Sequence, residues 1–224
     1  MFPLGGKPPY DPIWVGRSES GPIVLYQRGK NGEYIVNLNT ENRYWCQYAF
    51  QFSHEIGHIL CGYKDGDSSN LWFEETIGEI SSLYTLLRLE EVWKHNPPYP
   101  HWIEYAPEFT KYANERIQKY ESEIPSDLPV WFQENEKSLS NEPVNRPRNV
   151  SLAIRLLPLF EKFPEGWSAC AYLNEQKGKK IKSFATHLND WQHACPLPYQ
   201  KSFVKKIAAK FGIVLPLRKI SVND

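Results

Sequence analysis

The segment His54-Glu55-Ile56-Gly57-His58 sets two imidazoles four residues apart, with a carboxylate beside the first. On a helix, residues i and i+4 stand one turn apart on one face, so both rings can reach a single tetrahedral ion. Glu55 lies about 100° round, beside such an ion and not on it, where a general base for an activated water belongs. The chemistry implied is metal-assisted hydrolysis, with Zn2+ as the ion. At the same angular step, Trp45, Ala49, Phe52, Ile56 and Ile59 form an apolar stripe. His54 and His58 project nearly opposite it, in line with Gln47 and Gln51. The helix is expected to bury one side and show its histidines to a cleft.

Two histidines and a water leave one protein ligand to find. The metzincin pattern would place Gly three residues and His or Asp six residues after the second histidine; Cys61 and Lys64 occupy those positions. That pattern also needs a methionine beneath the metal, and Met1 is the sole methionine. A better donor lies in Trp72-Phe73-Glu74-Glu75-Thr76-Ile77-Gly78-Glu79. Glu75 and Glu79 share one helical face, clear of the apolar stripe Phe73, Ile77, Ile80, Tyr84 and Leu87. Glu75 is the expected third ligand, about a turn into a helix capped by Ser68, Ser69 or Asn70. Glu79 is placed to accept the other ring N–H of a ligating histidine. Glu74 points about 100° away and is the poorer candidate.

His-Glu-Ile-Gly-His, a 16-residue gap and then Trp-Phe-Glu-Glu-x-x-Gly-Glu resemble the gluzincin metallopeptidases, the group of thermolysin and aminopeptidase N. The match covers about residues 34–90, with Glu74 where Asn is common and Glu79 where Asp is common. The resemblance implies a zincin-like fold: a small twisted sheet, an active-site helix below it and a helical lower lobe. It also implies peptide-bond hydrolysis on Zn2+ held by His54, His58 and Glu75, with Glu55 as general base, and a substrate paired to an edge of the hairpin sheet. A Tyr or His from the lower lobe would stabilise the oxyanion, and Tyr172, His187 and His193 are the candidates. The tyrosine signature and exopeptidase segment of the aminopeptidase group are absent, which favours endopeptidase action. Two alternatives stay open. One is a regulatory intracellular metallopeptidase resembling the phage anti-repressor family; the other is a catalytically silent zinc-binding scaffold.

These residues need a frame to hold them. Ile23-Val24-Leu25-Tyr26-Gln27 and Tyr34-Ile35-Val36-Asn37-Leu38 flank Asn31-Gly32, a hairpin signal. Asn39-Thr40 offers a helix cap with Glu41 in the first turn, opening a helix that runs to about Cys61. A polar loop, 64–70, leads to a second helix over about 71–94, ended by Asn96-Pro97-Pro98. A third helix is expected over about 106–122. The Pro-, Asn-, Ser- and Glu-rich stretch 124–149 reads as a loop or lid, with Trp131-Phe132 able to dock on the body. Helical periodicity returns near 151–162, 165–176, 183–194 and 198–211. The fold class is α+β, divided into a hairpin-plus-helix unit at 1–66 and a helical lobe at 67–224.

Composition narrows the setting. The 224 residues are 41% hydrophobic and 23% charged, with eight Trp, a type suited to packed cores and cleft walls. No apolar run is long enough to span a membrane. The start, Met-Phe-Pro-Leu-Gly-Gly-Lys, lacks the layout of a secretory leader, so a cytoplasmic setting is expected. Cys46, Cys61, Cys170 and Cys195 are too scattered for a disulfide framework and read as buried free thiols. Net charge is zero, yet residues 176–224 hold ten Lys and Arg against two acids. That basic quarter reads as a solvated face, and 177–182 as an exposed loop. Peptide or protein substrates are the expected partners, with neither membrane nor nucleic acid.

Overall fold

The computed structural model describes residues 11–42 and 44–216. The stretch read for a leader and the end of the basic quarter, 217–224, lie outside them. Three short strands come first: β1 (Ile13–Arg17), β2 (Ile23–Val24) and β3 (Tyr34–Leu38). β2 and β3 form the expected antiparallel hairpin, with Val24 opposite Val36. Its turn closes by Gly32 N–H donating to the Gly29 carbonyl at 3.0 Å, and Gly32 takes φ +86°, where a side chain would be strained. β1 then pairs in parallel along the other side of β3, giving the order β1-β3-β2. β3 is thus flanked on both sides. Of the two hairpin strands, β2 is the one with an edge left unpaired among the described residues.

Helix α1 (Trp45–Leu60) begins later than the Asn39-Thr40 cap, after Tyr44. Gln51 claims that segment: it accepts from the Asn39 N–H at 2.9 Å and donates to the Asn39 carbonyl at 2.8 Å. Asn42 sits at φ +54°, which a first helical turn excludes. Phe52, Ile56 and Ile59 pack under the sheet against Val24, Val36 and Leu38, as the apolar stripe implies. The opposite side is not open. Cys46, Phe50 and Leu60 join the main core, and helix α2 (Leu71–His95) lies along α1.

α2 is the central helix, buried nearly all round between Trp72 and Leu83. Phe73, Ile77 and Ile80 of its expected stripe are fully buried, and so are Trp72 and Leu83 outside it. It ends at His95, before Asn96-Pro97-Pro98. Against it pack α3 (Ala106–Tyr120), reached through a 3-10 turn at Pro100–Tyr105, and α5 (Arg146–Lys162). Between those two, the stretch expected as an irregular loop or lid holds α4 (Leu128–Asn141). Asp127 caps it, accepting from Val130 N–H at 3.2 Å, and Leu128, Phe132 and Leu139 recur at helical spacing on its buried side. Polar composition masked that short stripe. Phe132 docks on Trp72, Phe184 and Phe211 at centroid distances of 5.9, 5.5 and 5.1 Å. Short α6 (Trp167–Cys170), α7 (Phe184–Ala194) and α8 (Pro198–Lys210) complete an α+β, mostly helical architecture. Among the described residues no helix is long and apolar enough to cross a membrane.

Two glycines set how closely α1 and α2 approach. A Cβ on Gly57 would stand 2.9 Å from the Gly78 Cα, and one on Gly78 would stand 2.8 Å from the His54 ring. Gly57→Ala therefore pits two effects against each other. Alanine is the better helix former by about 1 kcal/mol. Overpacking against backbone, which cannot rotate away, costs about 1–3 kcal/mol. The clash is expected to win, lowering stability in urea unfolding; a more stable Gly57→Ala variant would show that the helices do not touch here.

Candidate metal centre

The close helix crossing turns His54 and His58 toward α2, where they are buried at 7% and 8% exposure. They do not face an open cleft, as the sequence reading expected, because α2 covers that side of α1. Glu75 meets both. His54 Nε2 lies 3.4 Å from Glu75 Oε2, and His58 Nε2 lies 3.7 Å from Glu75 Oε1. These separations are too long for good hydrogen bonds. They suit a shared ion, since donors about 2.0–2.1 Å from zinc at tetrahedral angles stand about 3.4 Å apart. One donor atom from each residue lies within 4.8 Å of the others.

The other ring nitrogens have their own carboxylates. His58 Nδ1 donates to Glu74 Oε1 at 2.9 Å. His54 Nδ1 faces Glu79 Oε1 at 3.8 Å. A metal would have to displace the proton that these acids favour on His58; with Nδ1–H kept on Glu74, its Nε2 lone pair would then face the Glu75 side. Glu79 thus sits beside the ring it was expected to orient, at longer range. Glu74, set aside as a ligand, makes the closer contact with the other ring. Sequence spacing gave no hint of this, because it rested on one face of α2 and the crossing engages two.

Glu74 is held from behind by residues about a hundred positions away. Asn174 Nδ2 donates to Glu74 Oε2 at 2.7 Å, and the buried Lys177 ammonium stands 3.5 Å from the same oxygen. Lys177 therefore leaves the exposed loop expected at 177–182, while Lys179 and Lys180 remain exposed. The loop is pinned to the α1–α2 connection: Asp67 N–H donates to the Gly178 carbonyl, and Asn70 Nδ2 to the Lys182 carbonyl. Asn70 thus serves this link and does not cap α2 through its side chain.

Burial and charge oppose each other across the cluster. Burial disfavours the ionised form of Glu74, yet the His58 hydrogen bond and charge, with Lys177 and Asn174, hold its carboxyl below the usual range. Burial likewise works against ionised Glu75, but His54 and His58 keep it low. For His58, burial would depress the imidazole, and Glu74, Glu75 and Glu55 overcome that and push it up to about 9. Glu55, at 3% exposure, goes the other way: burial raises it, against the pull of His54, His58 and the Val24 backbone amide. That amide belongs to β2, so the edge strand and Glu55 are neighbours.

The three oxyanion candidates fall in different places. His193 is exposed, its Nδ1 2.7 Å from the Asn189 carbonyl, on a surface cavity with Lys201 and Lys205. His187 lines a small polar cavity behind Glu74, with Asn174 and Lys177. Tyr172 is half-buried against the main core. Two groups that sequence reasoning missed border the cluster instead. Tyr26 stacks on Tyr63 at 5.5 Å, and its hydroxyl feels the charges of Glu74 and Glu75. The Arg146 Nε, on the first turn of α5, stands 3.7 Å from Glu79 Oε1.

No family model, curated protein or solved structure matches the chain. The case for the centre is therefore carried by its own geometry.

His187 supplies a stability signature for the region. Burial first, and then Lys182, lower its imidazole to about 4. Unfolded, it would titrate near 6.5. Between those values the unfolded chain binds more protons, so stability is lost as pH falls from about 6.5 to about 4, by an amount of order 2–3 kcal/mol. His187→Gln should remove that part of the slope, measured by urea unfolding across this pH range; an unchanged slope would show the ring is not desolvated.

Proposed function

We propose that this chain is a zinc-dependent metallopeptidase, with His54, His58 and Glu75 as the residues that would hold the ion. The observation that carries this is the approach of both Nε2 atoms to Glu75 at 3.4 and 3.7 Å, a ligand spacing, while each Nδ1 faces a separate carboxylate. Charge supports it as well. Four carboxylates, Glu55, Glu74, Glu75 and Glu79, gather where Lys177 and Arg146 are the lysine and arginine in contact. A dication at the three donors would complete that balance; leaving such charge buried and unpaired costs several kcal/mol. The order of parts agrees with the gluzincin resemblance too: a small sheet over α1 and the glutamate donor on the next helix.

Bound zinc would supply a Lewis acid for the scissile carbonyl and an acidified water. Glu55, desolvated beside the donors, would be the residue to accept a proton there and pass it to the leaving amine. A carboxyl raised by burial suits both halves of that task. Glu74 holds the His58 imidazole through Nδ1, and Glu79 stands beside the His54 ring at 3.8 Å. β2 offers its outer edge to an extended peptide, next to the Glu55 it already touches through Val24. Tyr26, whose hydroxyl feels Glu74 and Glu75, and Arg146, beside Glu79, join the lower-lobe candidates for answering developing negative charge.

The test separates metal from turnover. Wild-type protein should bind zinc and cleave peptides, with anomalous scattering at the zinc edge peaking between His54, His58 and Glu75. His54→Ala and Glu75→Ala should lose the metal. Glu55→Gln should keep the metal and lose cleavage by about a thousandfold or more. Glu74→Gln should weaken zinc by about tenfold to a hundredfold, through loss of the charged partner of His58. Absence of metal at the three donors would sink the proposal, and zinc binding without cleavage of any member of a broad peptide library would reduce the chain to a zinc-binding scaffold.

A further inference from the structure

Away from the histidines, the first turn of α1 meets the end of α2, the Pro100–Tyr105 turn and α3 in a region of clustered aromatic rings. Trp102 stacks on Trp93 at 5.6 Å and lies against Trp45 at 5.4 Å. Three of the eight tryptophans thus brace one another, yet they remain partly exposed and wall an open cavity of about 320 Å³ with Tyr105, Glu104 and Glu108. A second cavity, of about 440 Å³, shares the Tyr105 and Glu108 wall and adds Tyr44, Tyr112 and Glu115. The two cavities adjoin at that shared wall as an aromatic groove, and three glutamates line it.

Three glutamates of the lining face one lysine, Lys111, whose ammonium reaches Glu108 only at 3.4 Å; His101 lines the first cavity, and the Arg116 guanidinium, bordering the second, donates to the Tyr112 hydroxyl at 3.1 Å. Among the described residues Glu104 has no ion-pair partner. A soluble surface seldom leaves several large rings together in water without a use for them. The rings are stacked in advance, so a ligand would order little on binding. Flat aromatic faces beside carboxylates are the surroundings a guanidinium prefers, since it stacks on rings while its fork of N–H groups binds an acid. Two cavities sharing a wall suit a ligand with more than one cationic arm.

We propose that this groove is a docking site for a basic, arginine-bearing segment of another polypeptide. It lies about 12 Å along α1 from the histidines, eight residues at about 1.5 Å each from Cys46 to His54. Its contacts are separate from the metal centre, so it goes beyond the peptidase reading and does not depend on it.

The probe is a capped arginine–glycine hexapeptide, titrated into the full chain with zinc removed by a chelator. Tryptophan emission and the indole N–H signals of Trp45 and Trp102 report binding. The expected result is saturable binding, weakened about tenfold or more when citrulline replaces arginine. Glu104→Gln with Glu108→Gln, both exposed, should weaken it as much while far-ultraviolet circular dichroism stays unchanged. Equal affinity for the citrulline peptide, undiminished binding by the double variant, or no saturable change would each overturn the proposal. Tetramethylammonium binding as tightly as the hexapeptide would overturn the polypeptide occupant. Because the readout involves neither metal nor cleavage, failure here leaves the zinc assays standing, and failure there leaves this result standing.

Discussion

Gly57 on α1 and Gly78 on α2 face each other where the two helices cross, and the spacing there admits no Cβ on either side without a contact under 3 Å. Everything at the centre depends on that approach. With the axes drawn together, His54 and His58 reach across to a helix that would otherwise stand a side chain further off. Gly78 matters twice: its missing side chain also leaves the space that the His54 ring fills. The glycine within the five-residue histidine segment is therefore a packing requirement, and its partner lies in the very stretch that supplies Glu74, Glu75 and Glu79.

A close crossing also creates an electrostatic problem. Carboxylates from both helices end up in a dry space, each penalised by burial. The answer comes from the far end of the chain, where Asn174 and Lys177 enter behind Glu74 and the 174–182 segment is tied down to Asp67 and Asn70. Glu74 can then stay ionised and engage His58, and His58 can present Nε2 to the same point as His54. The helical lobe thus does more than support α2. It completes the charge balance of the centre from behind.

This division explains what the sequence alone could reveal. That His54, His58 and Glu75 would gather was legible because helical periodicity fixes angles within one element, and donor chemistry restricts which side chains to pair. The hairpin was legible from Asn31-Gly32 and its flanking strands. β1 was not separately marked, since a parallel partner for β3 needs no local turn signal. α4 was hidden by polar residues around a stripe of only Leu128, Phe132 and Leu139. Lys177 looked like one more lysine in a basic loop, and nothing local distinguishes a lysine that will be buried against an acid a hundred residues earlier. The expected orientation of α1 failed for a related reason. A helical wheel shows which face is most apolar, but it cannot show that a second helix will cover the polar face as well.

α2 and the 174–182 segment fill the space behind the donors, α5 brings Arg146 to Glu79, and β2 and Tyr26 bound the sheet side of the cluster. β2 is only two residues long, and the Val24 amide already leans on Glu55. Under the peptidase proposal, an extended peptide laid along that edge would compete for this amide and free the Glu55 carboxylate. Strand addition and release of the carboxylate would then be one event, set by the same backbone N–H.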